Sequence, residues 1–259
     1  MSLVSVIIPA HNAAETIECC LTSVLSQTYD SLQVIVIDDA SSDRTSEIVS
    51  GYDDQRITLV QVTYRSAAAA RNRGLDFAKG DLIQFLDADD ALSPTKIENQ
   101  VRDLQSGDSI AIANCSWGHF DTIPSQARMQ HQKINRSMSP HDWLIESWSG
   151  GGMAQTACWL APRLAIEKAG RWDDSLKGNP NDDGEFFCRV LLAVDKIIFT
   201  SDSYVYYRST RVGCVSQVVN SNQAKALLEG LTKCEGHLRA AEDTKRTRTA
   251  AAQNYYRYI

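Results

Sequence analysis

The chain has 259 residues, 43% of them hydrophobic and 22% charged, the composition of an ordinary globular protein and not of a disordered or fibrous one. Its formal net charge of −6 argues against a nucleic-acid-binding surface, which needs a basic excess to hold phosphates. No apolar run reaches the roughly 18 residues that span a bilayer, and Met1-Ser2-Leu3-Val4-Ser5 lacks the charged-then-apolar layout of a signal peptide. The seven cysteines are scattered, with no C-x-x-C pair, so a zinc ribbon or dithiol motif is not expected and buried thiols in a reducing compartment are. The expectation is a cytoplasmic chain, with peripheral contact at the inner face of a membrane left open.

In chain order, residues 3–8 are a β-branched run stopping at Pro9, which predicts a buried parallel strand. A helical pattern follows from Ala14 to Gln27, with Ile17, Leu21, Val24 and Leu25 on one face. Gln33–Ile37 reads as a second strand running into Asp38 and Asp39, and Ser41, Ser42 and Asp43 offer caps for a helix to Ser50. Ile57–Val62 is a third strand, Ala67–Lys79 an alanine-rich helix closed by Gly80, and Asp81–Leu86 a fourth strand. A helix over 93–106 is expected from Ser93 as cap and Pro94 at its first position. Ile110–Cys115 reads as another strand. The pattern weakens from Trp117 to Gly152, where Gly150-Gly151-Gly152 suggests a mobile loop. Beyond it come a strand at 155–160, helices at 163–169 and 185–193, short strands at 196–199 and 204–208, and a helical tail from Ser221 to Ile259 with a basic stretch at 245–248.

Strand and helix alternate, which predicts an α/β fold with a doubly wound, mostly parallel sheet. Ligands bind such sheets beyond the carboxyl ends of the strands. Both Asp38-Asp39 and Asp87-Ala88-Asp89-Asp90 stand at strand C-termini, so the topology brings them to one rim. Three carboxylates in four residues repel one another unless a cation or solvent relieves them, and carboxylates suit Mg2+ or Mn2+. A solvated acidic turn with Asp90 as a helix cap accounts for the cluster alone equally well. A dinucleotide-binding oxidoreductase is not expected, because Pro9-Ala10-His11-Asn12 stands where G-x-G-x-x-G would follow the first strand.

Five segments in fixed order carry a resemblance. They are residues 4–12 (Val-Ser-Val-Ile-Ile-Pro-Ala-His-Asn), 23–27 (Ser-Val-Leu-Ser-Gln), 37–43 (Ile-Asp-Asp-Ala-Ser-Ser-Asp), 69–74 (Ala-Ala-Arg-Asn-Arg-Gly) and 86–90 (Leu-Asp-Ala-Asp-Asp). Together they resemble the nucleotide-binding half of the family 2 glycosyltransferases, over about residues 3–105 most clearly and more weakly to about 218. The resemblance implies a GT-A fold, mostly parallel and Rossmann-like, with helices on both faces. It divides the chain into a nucleotide-sugar-binding half (1–105), an acceptor-binding and base-carrying half (106–218) and a C-terminal helical extension (219–259). It further implies inverting transfer of a hexosyl or N-acetylhexosaminyl group from a nucleoside diphosphate sugar, UDP favoured, to a saccharide or lipid-linked hydroxyl acceptor, with Mn2+ or Mg2+. A binding-only relative that keeps the fold without turnover is the alternative.

Residue by residue, the resemblance assigns the nucleotide to Pro9, His11, Asp39, Arg71 and Asp87. Asp39 can accept the N3–H of a uracil ring, or only cap the next helix. His11 stands where the family often has tyrosine, and Asn12 suits a loop-holding role. Arg71 is placed either on the donor or against the acidic rim. Asp89 resembles the metal-holding acid, and Asp90 an outer support or a cap. In the second half, Trp172-Asp173-Asp174 and Asn181-Asp182-Asp183-Gly184-Glu185 resemble the family's tryptophan turn and acidic pair, here Asp-Asp in place of Glu-Asp. Asp183 aligns with the base, Asp182 being the alternative, and adjacent acids raise one another's pKa. Both could instead only favour the positive end of a helix. Trp159, Arg208 and Arg211 are candidates for the acceptor or the diphosphate. Thr210 occupies the place of a histidine found in some members, which leaves a third metal ligand in doubt.

Overall fold

β1 (Val4–Ala10) and β2 (Leu32–Asp39) alternate their side chains between two buried faces, and this decides the layering. Ile7, Ile35 and Ile37 point into one apolar layer; Val6, Ile8, Val34 and Val36 point into the other. The computed structural model describes residues 1–105, 109–209 and 220–258. Its nine-stranded sheet has the order β3-β2-β1-β4-β8-β6-β9-β5, with β7 (Arg128–Met129) paired to β6. β3 (Ile57–Val62), β2, β1 and β4 (Leu82–Phe85) are parallel. β8 (Leu160–Pro162) runs antiparallel to β4 and to β6 (Ala111–Phe120), and β9 (Lys196–Arg208) returns parallel to β6. β5 (Ala91–Leu92) closes the far edge, antiparallel to β9. One sheet therefore runs through both halves of the chain.

α1 (Ile17–Leu25) and α4 (Lys96–Leu104) bury Ile17, Leu21, Val24, Ile97 and Val101 against the second layer. α3 (Ala67–Phe77) covers the first, its small residues allowing close approach. A Cβ on Gly74 would sit 2.3 Å from Ile7 Cγ2, so the helix can lie this near the sheet only with glycine there. α2 (Thr45–Ser50) starts where Asp43 Oδ1 accepts the Thr45 amide at 3.0 Å. α5 (Pro140–Glu146), α6 (Arg163–Ala169) and α7 (Asp182–Leu192) complete the first layer, and α8 (Ser221–Ala241) and α9 (Lys245–Tyr256) lie over it through Cys234, Leu238, Ala250 and Ala251.

The structure corrects several expected boundaries. β1 continues through Pro9 to Ala10. The odd-numbered residues of β1 face β4, whose pairing ends at Phe85, so the missing Pro9 N–H forfeits no ladder bond. α4 begins at Lys96 and not at Pro94, because the Ser93 hydroxyl accepts the Tyr204 amide of β9 at 3.0 Å instead of capping the helix. The expected strand at 155–160 is a 3-10 turn (Thr156–Cys158) followed by β8. The two short strands after 196 are one, bulged opposite the Cys115/Ser116 register shift of β6. α5 and the turn Ser147–Gly151 fill the stretch that gave no clear pattern. Gly152 there has φ +136°, and a Cβ would meet Gln132 Oε1 at 2.3 Å.

Candidate active site

A cleft of about 770 Å³ opens at the C-terminal ends of β1, β2 and β4, where a doubly wound sheet leaves room between diverging loops. Asn12, Ala40 and Arg65 have φ of 48°, 58° and 54°. They follow β1, β2 and β3 in turn, so every non-glycine left-handed residue among the described residues lies on this rim, a conformation that costs energy and collects at working sites. The turn at Arg65 aims two consecutive amides at Asp39: the Arg65 N–H donates to Oδ1 and the Ser66 N–H to Oδ2, both at 2.8 Å. Asp39 is 4% exposed, and these bonds hold its carboxylate at the cleft wall. The His11 Nδ1–H donates to the Asp39 carbonyl at 2.6 Å, which fixes the tautomer because a carbonyl only accepts. Asn12 Oδ1 accepts the Ser42 amide at 2.8 Å, and the Asn12 amide donates to Ser41 Oγ at 2.9 Å, joining the first two rim loops.

The opposite wall is built across a long sequence separation. Arg71, on the first turns of α3 and 6% exposed, donates through one amino group to Asp87 Oδ1 and through the other to Asp182 Oδ2, each at 2.9 Å. Its guanidinium lies 4.4 Å from the Trp172 ring centroid, and Trp172 stacks on Phe186 at 4.1 Å. Desolvated, such a cation–π contact contributes about 2 kcal/mol. Burial works against the Arg71 charge, but Asp182, Asp87 and Asp183 outweigh it and hold its pKa above the ordinary value. Through these two bonds the arginine ties the loop after β4 to the start of α7, while it also lines the cleft.

Asp182 and Asp183 begin α7, whose first-turn amides favour negative charge. Asp183 Oδ1 accepts the Gly184 amide at 2.8 Å, and Oδ2 accepts the Thr156 hydroxyl at 3.2 Å. Burial first and the Asp182 charge second push the Asp183 carboxyl up to about 6, against the pull of Arg71. Burial also raises Asp182, opposed by its own bond to Arg71. The pair is thus poised so that one carboxyl titrates near neutrality while facing the cleft. Asp90, 2% exposed, is raised well above the carboxylate range by burial and by Asp89 and Asp87. It accepts the Arg208 amide at 3.0 Å and so anchors the acidic loop from behind.

Pro9, His11, Asp39, Arg71, Asp87, Asp89, Asp182 and Asp183 all line this one cleft. Trp159 does not. It is 2% exposed, between Trp143 at 5.0 Å and Phe187 at 5.6 Å, and borders a smaller adjoining pocket. Nor does Arg208 line the cleft: its guanidinium donates to the Asp89 and Asp121 carbonyls at 3.0 and 2.9 Å and lies 4.4 Å from the Phe120 centroid, bracing the loop. Arg211 and Thr210 fall outside the described residues. Sequence reasoning missed Thr156 and the Arg65 and Ser66 amides. Nothing in a threonine or in main-chain N–H groups signals such a role, although Ser66 as the cap of α3 marked the turn that aims them. No group of three or more metal-ligating side chains occurs among the described residues. The donor set still fits a hard cation, because Mg2+ commonly takes one or two carboxylates with substrate phosphates, and Asp87 and Asp89 face the cleft from one loop.

Residues 5–161 match the family model described as "Glycosyl transferase family 2". The chain belongs to this family. Among similar proteins is the UDP-Glc:alpha-D-GlcNAc-diphosphoundecaprenol beta-1,3-glucosyltransferase WfaP of Escherichia coli, 44% identical over 107 residues, 41% of this chain and 43% of that protein. WfgD of the same species, named for the same activity, is 45% identical over 100 residues, 38% of this chain and 40% of that protein. The matched region thus spans less than half the length of either relative. In fold, the chain resembles S. aureus TarS 1–349 in complex with UDP-GlcNAc, with a TM-score of 0.81 at 17% identity, covering 99% of this chain and 72% of that one. The fold is that of the GT-A glycosyltransferases, a mixed, mostly parallel sheet flanked by helices, and among the described residues no helix is long and apolar enough to cross a membrane.

Proposed function

We propose that the chain transfers a sugar from a UDP-linked donor to a hydroxyl of a lipid-linked saccharide, with inversion at the anomeric carbon. The observation that carries this is one cleft holding Asp39, Asp87 and Asp89 on the sheet side and Asp183 on the other, the last with its pKa pushed up to about 6. The activities printed for WfaP and WfgD and the UDP-GlcNAc complex of TarS support the same donor and acceptor classes. The alternative of a binding-only protein gains no specific observation.

In this reading Asp39 accepts the uracil N3–H, with its carboxylate held in place by the Arg65 and Ser66 amides. The acceptor oxygen attacks the anomeric carbon from the Asp183 side as Asp183 takes its proton. The bond from that carbon to the diphosphate breaks, and the electron pair leaves with UDP. Thr156 orients the base carboxylate from its second oxygen, while Arg71 bonds Asp182 and Asp87 and so holds the two walls together. Asp89, with Asp87 beside it, would hold a Mn2+ or Mg2+ ion. When bound, that ion supplies neutralisation of the charge developing on the diphosphate. The test is a thermal melt with UDP, with and without Mn2+, beside a panel of nucleotide sugars assayed for UDP release. A UDP shift that requires metal in the wild type and is lost or strongly reduced in Asp89→Asn even with metal present is expected. Absence of both a melting shift and UDP release, with every donor in the panel, would sink the reading.

A further inference from the structure

A second cavity of about 100 Å³ adjoins the cleft, and Asp183 borders both. Its walls include Trp143, Trp148, Trp159, Phe187 and Tyr258, with Ala154 among its smaller lining residues. The volume is about three waters' share of liquid, well below the roughly 300 Å³ of a pocket for a whole small molecule. It therefore accommodates a substituent, and neither a sugar ring nor a lipid chain. The aromatic walls call for an apolar end. The Trp143 indole N–H is buried and has no hydrogen-bond partner among the described residues, although Trp143 is 6% exposed. A buried donor left unpaired costs about 1–3 kcal/mol, which an acceptor atom on an occupant would recover. Because the cavity begins at the base, its occupant is attached next to the hydroxyl that the base deprotonates.

From these constraints we infer that this cavity takes the N-acetyl group of an amino-sugar acceptor, on the carbon adjacent to the attacked hydroxyl. The methyl would lie among the tryptophans, and the amide carbonyl would accept the Trp143 N–H. A bare hydroxyl in its place lacks the apolar end. The inference rests on the glycosyl-transfer reading and specifies its acceptor. The GlcNAc-diphosphoundecaprenol acceptors for which WfaP and WfgD are named carry such a group.

The experiment is saturation-transfer NMR on the full chain with UDP present, using methyl N-acetylglucosaminide and methyl glucoside as probes. In the wild type the acetyl methyl should receive the strongest saturation, and the glucoside should bind at least tenfold more weakly. Ala154→Leu, which fills the cavity, and Trp143→Phe, which removes the N–H together with the second ring of the indole, should each weaken the acetylated probe severalfold and leave the glucoside and the UDP melting shift unchanged. Equal binding of the two sugars by the wild type overturns the inference by itself, whatever the variants do. So does a variant pair that retains the UDP shift and binds the acetylated probe as before. Failure of the donor reading shows separately, as a wild type with no UDP shift at all.

Discussion

The two walls of the cleft hold their carboxylates by different means. On the sheet side, Asp39 is fixed by main-chain amides of the next strand's loop, 26 and 27 residues away, and needs no cation. On the other side, Asp182 is fixed by a guanidinium 111 residues away in sequence, and Asp183 takes its environment from burial and from Asp182. The first arrangement gives a rigid acceptor for a hydrogen bond; the second gives a carboxyl whose proton affinity depends on which charges remain beside it. The sheet-side wall should therefore tolerate changes on the other wall, while the base side should respond to every one of its partners.

The largest effect is expected at the base. Asp183→Asn should lower transfer about a thousandfold, within the usual range for a lost proton acceptor, while the UDP melting shift stays as in the wild type. Transfer persisting near the wild-type rate would transfer the role to Asp182. Removing the tie between the walls comes next. Arg71→Leu leaves the partly exposed Asp87 and Asp182 without their partner, which costs about 1–3 kcal/mol, readable as a lower urea midpoint. A midpoint unchanged from the wild type would show that the walls stand apart. On the sheet side, Asp39→Asn keeps a side-chain acceptor but loses the charge, so UDP affinity should fall about tenfold, the loss of one charge-assisted hydrogen bond, with the pH profile unmoved.

The smallest effect concerns pH. A base must be deprotonated to act, so transfer should decline as pH falls through about 6, the value to which burial and Asp182 raise Asp183. Asp182→Asn removes the like charge while the pull of Arg71 on Asp183 remains, so this acid limb should move to lower pH. A limb that stays in place, or moves up, would show that Asp182 is not what sets the base.

The same division separates what was legible in the sequence. The strand ends carrying Asp39 and Asp87 could be placed on one rim from alternation and the parallel-sheet rule, because every contact needed lies within the first hundred residues and follows from backbone periodicity. The β3 strand and α6 appear at the expected residues, both being short and sharply bounded. The acceptor side was harder: α5 lies in a stretch with weak patterning, and the expected strand at 155–160 gave way to a turn that delivers Thr156 to Asp183. Arg208 has the chemistry of a ligand contact, but packing commits it to loop carbonyls, and Trp159 faces the small adjoining cavity and not the main cleft.

By itself, then, the order of elements and the positions of the acids determined a doubly wound sheet with a carboxylate rim, because strand periodicity and sheet topology are local properties of the chain. The tertiary structure alone decided the partner of Arg71, the raised proton affinity of Asp183 and the small aromatic cavity beside it. Each of these depends on distance, burial and competing charge between segments more than a hundred residues apart or on opposite elements, and those quantities exist only once the chain has folded.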